Sequence, residues 1–294
     1  MRNAFIKLHI SVVLAGFTGI FGKLIQLPEV PLVWYRLLLT VILLSALMYF
    51  SGKLRKLAAA EAAKIAAAGA LLGLHWIFFY GSIKYANVSV GVVCFALVGF
   101  FTALFEPLVY KRRLSWRELC FSLLTVAGIV LIFHFDTRFR IGIVLGVISA
   151  ALAAIYTVVN KVVSQKHAST TILFYQMLGG LGFISLVMPF YFKLFPQAPL
   201  LPGGFDLLYL FLLASLCTIV MYLLELQALR KISAFTVSLS FNLEPIYSIG
   251  LAMLIFGEAA ELGLSFWAGL MLICLSVGLQ TLSALRQRPV FLKR

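Results

Sequence analysis

Acidic residues are scarce in this chain, with ten Asp and Glu among 294 residues and only two of the ten Asp. No paired-aspartate motif of the kind that holds magnesium for prenyl transfer is present. HExxH, GxSxG and GxxxxGK[ST] are absent as well, so nothing marks an intramembrane metalloprotease, a serine hydrolase or an ATP-driven pump. No helix carries the repeated arginines of a voltage sensor. Cysteine is sparse: Cys94, Cys120, Cys217 and Cys274 sit singly in apolar segments and read as packing residues, not as a disulfide frame or metal site. Charged residues of all kinds make up 12% of the chain, against 63% hydrophobic and a mean hydropathy of +1.06. A soluble domain carries about 25% charged residues, so little of this sequence is left for a water-soluble fold.

What the chain has is apolar runs. Ten of them follow one another at approximately 8–22, 32–50, 65–83, 88–110, 119–135, 141–160, 170–192, 207–229, 232–256 and 262–285. Each is near the length needed to cross the hydrocarbon core, roughly 20 residues. The run after Arg2 and Lys7 has no A-x-A-like cleavage site and reads as the first membrane helix, not a removed leader. Charge alternates between the gaps. Of the 24 Lys and Arg, 18 fall on one side: Arg2, Lys7, Lys53, Arg55, Lys56, Lys64, Lys111, Arg112, Arg113, Arg117, Lys161, Lys166, Arg230, Lys231, Arg286, Arg288, Lys293 and Arg294. Five (Lys23, Lys84, Arg138, Arg140, Lys193) fall on the other, and Arg36 lies inside a run. Short basic loops stay cytoplasmic, which predicts an inner (plasma) membrane protein with both termini inside. The net charge of +14 is then a topological signal meeting anionic lipid, not a nucleic-acid-binding surface.

The runs repeat. Leu14, Ala15 and Lys23 recur as Leu152, Ala153 and Lys161, and 32–36 (LVWYR) recurs as 172–176 (ILFYQ). Phe95-x-Leu97 recurs as Phe241-x-Leu243, and Gly128 lines up with Gly278. The order predicts two five-helix units, 1–136 and 137–294. Because five is odd, the second unit enters the bilayer from the opposite side. The fold class is therefore an all-α integral membrane protein whose ten helices form two inverted repeats, with a site expected near midplane between them. Gly69 with Gly73, and Gly142, Gly146, Ala150 and Ala154, form small-residue ladders suited to close helix packing.

Ionisable groups at the bilayer centre cost about 2.5–3.5 kcal/mol each. His9, His134, Glu106 and Glu225 lie near helix ends, where an interfacial or paired role is the default, though Glu225 can also line a vestibule. His75 and Glu244 lie near the middle of the third and ninth helices. Their aligned positions, Met221 and Val98, are not ionisable, so symmetry does not require them. Pro245 follows Glu244, removes a donor to the Phe241 carbonyl, and predicts a kinked or opened helix beside an acidic group. Arg36, about one turn inside its helix, either binds a substrate carboxylate or snorkels outward. Trp76, Tyr80, Tyr156, Asn160, Tyr222 and Asn242 can supply stacking faces and hydrogen bonds. Glu244, His75 and Glu225 are the candidates for proton coupling.

The ninth helix, Phe241-Asn242-Leu243-Glu244-Pro245 running to Phe256-Gly257-Glu258, resembles the EamA type of the drug/metabolite transporter superfamily, and so does the Trp34-Tyr35-Arg36 turn. The first repeat departs from that pattern, with Gly99 in the proline position and Lys111-Arg112-Arg113 at the helix end. The resemblance implies a secondary transporter that exports or exchanges a small metabolite, such as an amino acid or related compound, by alternating access. It implies no cofactor and no catalytic residue; the partners are the substrate, the lipid bilayer and, if transport is coupled, protons. Two rival readings stay open on sequence: a membrane-embedded lipid-modifying enzyme and a non-transporting membrane subunit.

Overall fold

The computed structural model describes residues 2–52, 56–111, 116–135, 139–241 and 243–286. Asn242, Lys53, Arg55, Arg112, Arg113, Arg138, Arg288, Lys293, Arg294 and the expected division at 136/137 lie outside the described residues, as do the side chains of Arg117 and His134. Among the described residues all regular structure is helical.

The first three spans are α1 (Arg2–Leu24), α2 (Glu29–Phe50) and α3 (Ala59–Tyr85). The fourth span is broken into α4 (Val88–Phe95) and α5 (Val98–Tyr110), and α6 (Trp116–Phe135) completes the first half. The second half begins with α7 (Arg140–Val163) and α8 (Ser169–Leu194). Its third span is α9 (Asp206–Ala214), a π-helical turn (Ser215–Val220) and α10 (Met221–Leu229). The next is again broken, into α11 (Ala234–Phe241) and α12 (Glu244–Phe256); a 3-10 turn (Glu258–Glu261) leads to α13 (Leu264–Arg286). Among the described residues seven stretches of 22 to 27 residues are apolar and long enough to cross a membrane, and three apolar stretches of 10 to 13 residues lie in the remaining spans. The chain is a multi-pass membrane protein of ten spans. Ten crossings put both chain ends on one face, the terminal face; the other is the distal face.

Helices extend past the apolar runs because long basic side chains keep their charge at the interface while their stems follow the helix. Thus α1 starts at Arg2, not at 8; α2 starts at Glu29, not at 32, with an acidic residue in its first turn where the helix dipole favours one. The second shift matters for the site, since it places Arg36 two turns, about 10 Å, inside α2 instead of one.

The two halves correspond element by element. Adding 146 to the bounds of α4 and α5 gives the bounds of α11 and α12. Both α5 and α12 end on a left-handed residue at the same offset, Lys111 with φ 51° and Gly257 with φ 66°. The contacts correspond as well: α3 packs on α7 as α1 packs on α10, α5 on α7 as α12 on α1, and α4 on α12 as α11 on α5. One pair of hydrogen bonds repeats across the halves. Ser11 Oγ donates to the Met221 carbonyl at 3.1 Å, and Ser149 Oγ to the His75 carbonyl at 3.3 Å.

Backbone turn bonds bridge the two breaks (Ala96 N–H to Val93, Leu97 N–H to Cys94 and Leu243 N–H to Ser240, each 3.1 Å), while the outer starts of the same spans carry helix N-terminal amides, which are costly if unpaired in a lipid-embedded protein. At the distal face Glu258 takes the α4 N-terminus, accepting from the amides of Val88 (3.1 Å) and Ser89 (3.0 Å), from Ser89 Oγ (2.6 Å) and from Lys23 Nζ (2.8 Å). At the terminal face Glu106 Oε2 accepts from the amide of Phe235, at the α11 N-terminus, at 2.9 Å. Burial alone would raise the Glu258 carboxyl, but the bonds from Lys23, Ser89 and Val88 outweigh it and hold it below the ordinary 4.5.

The expected small-residue ladders sit at close crossings. A Cβ at Gly69 would lie 1.8 Å from the Gln176 carbonyl oxygen, and one at Gly179 would lie 2.2 Å from that of Ala66, so α3 and α8 touch through backbone. Gly142 and Gly146 bring α7 against Ser82, Ala86 and Cys94. Gly128 meets Gly269, whereas Gly278 has nothing within 4 Å.

Gly69→Ala should lower stability by about 1–3 kcal/mol through overpacking, while Gly182→Ala, with nothing within 4 Å, should change it by less than about 0.5 kcal/mol; melting of the detergent-solubilised variants compares them. A carboxyl held low contributes stability that is present above its ordinary value and is lost as pH falls through the lowered one. Hydrogen exchange at Val88 and Ser89, corrected for its intrinsic pH dependence, should stay slow down to pH 4.5 and accelerate only below it.

Candidate functional site

The site is built around a guanidinium. In the π turn the Met221 amide reaches back to the carbonyls of Leu216 and Thr218. The Cys217 carbonyl, which an α-helix would have paired with Met221, is therefore free, and Arg36 Nη2 donates to it at 2.9 Å. Arg36 Nε donates to Thr218 Oγ1 at 2.8 Å and Nη1 to the Tyr80 hydroxyl at 2.8 Å. Its guanidinium lies 3.6 Å from the centre of the Trp76 ring, a contact worth about 2 kcal/mol when desolvated. Arg36 is 0% exposed, so it does not snorkel, and three of its five N–H donors, one on each nitrogen, are engaged by the protein.

From Arg36 a polar and aromatic chain crosses to the other half. Trp76 Nε1 donates to the Tyr222 hydroxyl at 3.2 Å, and the Tyr222 and Tyr156 rings meet edge-on at 6.0 Å. The Tyr156 hydroxyl donates to Gln176 Oε1 at 3.1 Å, and Gln176 Nε2 to Asn160 Oδ1 at 2.5 Å. The chain thus runs from Arg36 to its repeat counterpart, Gln176. Asn160 Nδ2 is buried with no hydrogen-bond partner, a donor left for something else.

Two carboxylates border this chain. Glu225, on α10, is 4% exposed and Glu244, on α12, is 3% exposed. Glu244 lies within electrostatic reach of Arg36 and of Glu225, and Glu225 within reach of Tyr156 and Tyr222. Among the described residues no hydrogen bond reaches either carboxylate. So every nitrogen of the guanidinium has a partner, and among the described residues neither carboxyl group has one.

Of the residues singled out on sequence, Arg36, Trp76, Tyr80, Tyr156, Asn160, Tyr222, Glu225 and Glu244 converge here. Asn242 lies outside the described residues. His75 lies within electrostatic reach of Arg36, but its ring is tied to α7. Its Nδ1 is 2.9 Å from both the carbonyl and the hydroxyl oxygen of Ser149 on α7, and its ring packs against Phe79 and Phe95. The ninth span is interrupted just ahead of Pro245. The proline occupies the first turn of α12, where a missing N–H costs nothing. The fourth span breaks at the equivalent place with Gly99 instead of proline, so proline alone does not cause the break. Thr218, the Cys217 carbonyl and Gln176 were not among the expected ligands. Gln176 was visible only as the repeat counterpart of Arg36, and nothing in the residue types of 215–220 announces a π turn.

The sequence matches the EamA-like transporter family twice, over residues 3–134 and 140–282. The chain belongs to the EamA-like transporter family. It is 26% identical over 268 residues to "Uncharacterized transporter YxxF" of Bacillus subtilis (strain 168), covering 88% of this chain and 84% of that one. It is 24% identical over 227 residues to an "Uncharacterized transporter" of Haemophilus influenzae, covering 74% and 72%. A crystal structure of a protein 17% identical in sequence superposes with a TM-score of 0.69 over 97% of this chain and 99% of that one, and shares its fold. The two matches to the EamA-like family fall on either side of residues 135–139. The polar chain from Arg36 to Gln176 therefore joins one EamA-like half to the other.

Arg36→Met should destabilise this transporter by more than about 2 kcal/mol, because it strips a charged partner from three buried acceptors at once. Arg36→Lys should recover less than half of that, since an ammonium lacks the planar fork. A melting temperature for Arg36→Met equal to wild type would show that the fork does not hold α2 to the π turn.

Proposed function

We propose that this EamA-like protein is a secondary transporter that moves a small polar metabolite bearing an amino group, such as an amino acid or related compound, out of the cell by alternating access. The terminal face is cytoplasmic in this reading, since 18 of the 24 basic residues belong to it, and the membrane is the inner (plasma) membrane. The observation that carries the proposal is the unequal state of the buried charges. Each nitrogen of Arg36 has a protein partner, while Glu225 and Glu244 are buried and, among the described residues, take no hydrogen bond. A buried carboxylate with no partner is expensive, and it is relieved by either of two cations, the ammonium of a substrate or a proton. Exchange of one for the other at Glu244 links cargo movement to the proton gradient. The rings of Trp76, Tyr80 and Tyr222 offer apolar faces for the rest of the cargo, and Asn160 Nδ2 offers a donor. His75, tied to Ser149, takes a positioning role between α3 and α7 instead of a proton. Transport leaves the cargo chemically unchanged, so no cofactor is needed.

Cells overproducing the protein, screened for extracellular metabolites, should release one class of amine-bearing compound above the vector control. Glu244→Gln should abolish its dependence on external pH and cut release at least about tenfold, the effect of losing roughly 1.4 kcal/mol of differential binding. Release by Glu244→Gln equal to wild type at every pH would overturn the role of Glu244. A screen that returns only compounds without an amino group would overturn the substrate class.

A further inference from the structure

The two clasps on the broken spans are built alike from residues that do not align. The amides they take are repeat counterparts: Ser89 plus 146 is Phe235. Their lysines are counterparts too. Lys23 pairs with Glu258, and Lys161, its partner at a shift of 138, donates to the carbonyls of Leu229 (2.5 Å) and Ile232 (2.7 Å), just ahead of α11, within electrostatic reach of Glu106. The carboxylates are not counterparts, since Glu258 aligns with Arg112 and Glu106 with Ala252. Each carboxylate also comes from the half opposite to the helix it caps, so each clasp bridges the two halves at one face. The elements they hold, α4 and α11, are both 8 residues long and end at the breaks preceding α5 and α12. Both clasps are engaged in this structure, and the cluster between them is sealed: Arg36 and Tyr80 are 0% exposed and Trp76 is 2% exposed.

We propose that Glu258 and Glu106 are the distal and terminal gate residues of the transport path, and that releasing one clasp lets its half-helix swing about the break while the other clasp keeps the far face shut. Charge is what makes each clasp releasable. An ionised carboxylate on helix N-terminal amides is favourable, and neutralising it removes most of the hold without removing bulk. The same half-helix geometry gives two discrete arrangements, clasped and swung out, which is what a gate needs. This proposal rests on the alternating-access reading, but it does not depend on which compound is carried.

Spin labels on two pairs that are themselves repeat counterparts test it: Tyr85 with Leu254 at the distal face, and Leu108 with Lys231 at the terminal face, all exposed. Double electron–electron resonance in lipid nanodiscs would be read for wild type, Glu258→Gln and Glu106→Gln. Glu258→Gln should move the Tyr85–Leu254 distribution outward by about one helical turn, roughly 5 Å, and leave Leu108–Lys231 unchanged or shorter. Glu106→Gln should do the reverse. Ser89→Ala, which removes one bond and no charge, should give a smaller distal shift if Glu258→Gln does not insert. Lengthening of both pairs by either variant would mean general loosening and would overturn the gates. Two populations in wild type that neither variant shifts would overturn the gates and leave alternating access standing. A single unchanging distance in every protein would overturn both.

Discussion

The constraint on which this structure depends is that backbone and charge cannot be left unpaired in hydrocarbon. Continuous helices meet it within themselves. Among the described residues this chain departs from that economy in the fourth, eighth and ninth spans, and a side chain from elsewhere holds backbone groups of each of these spans. Glu258 and Glu106 take the amides at the start of two broken spans. Arg36 takes the carbonyl released by the π turn. In all three cases the partner comes from the opposite half of the molecule, so the same bonds that make the irregular backbone tolerable also join the halves.

The guanidinium shows how this serves a binding site. A buried arginine with no partner would unfold the protein or drag water inward. Here the free carbonyl of Cys217, the Thr218 and Tyr80 hydroxyls and the Trp76 face hold it in one orientation. Held at every nitrogen, it serves as a fixed charge and not as a hook. It lies within electrostatic reach of Glu244, yet no bond from it reaches Glu244 or Glu225. A site with a fixed cation and two carboxyl groups not paired to it is poised to accept a cation and to give it up again, which a site with a tight internal ion pair would not be.

Much of this was legible in the sequence. Hydropathy revealed the ten spans, because lipid allows few alternatives. Arg36, Trp76, Tyr80, Tyr156, Asn160, Tyr222, Glu225 and Glu244 were recognisable as polar or aromatic groups with no reason to lie in lipid, and they converge. The break in the ninth span was signalled by Pro245, but its twin between Phe95 and Val98 was not, since no residue there forbids a helix and the break comes from packing in the repeated scaffold. The depth of Arg36 was misjudged by a turn because hydropathy locates the apolar core and not the helix start. The clasps were hidden because Glu106 and Glu258 reach equivalent amides from non-equivalent positions, so a search for repeated residues passes over them. His75 looked like a midplane acid–base group; its neighbour Ser149 on α7 was visible only in three dimensions.

The account stands or falls on a site at the seam that each face can reach in turn. The direct measurement places a single cysteine at position 244 in a background with Cys94, Cys120, Cys217 and Cys274 replaced, and treats oriented vesicles with a small membrane-impermeant thiol reagent from either side. Modification from both sides is the expected result. Modification from one side only, or from neither, would contradict it.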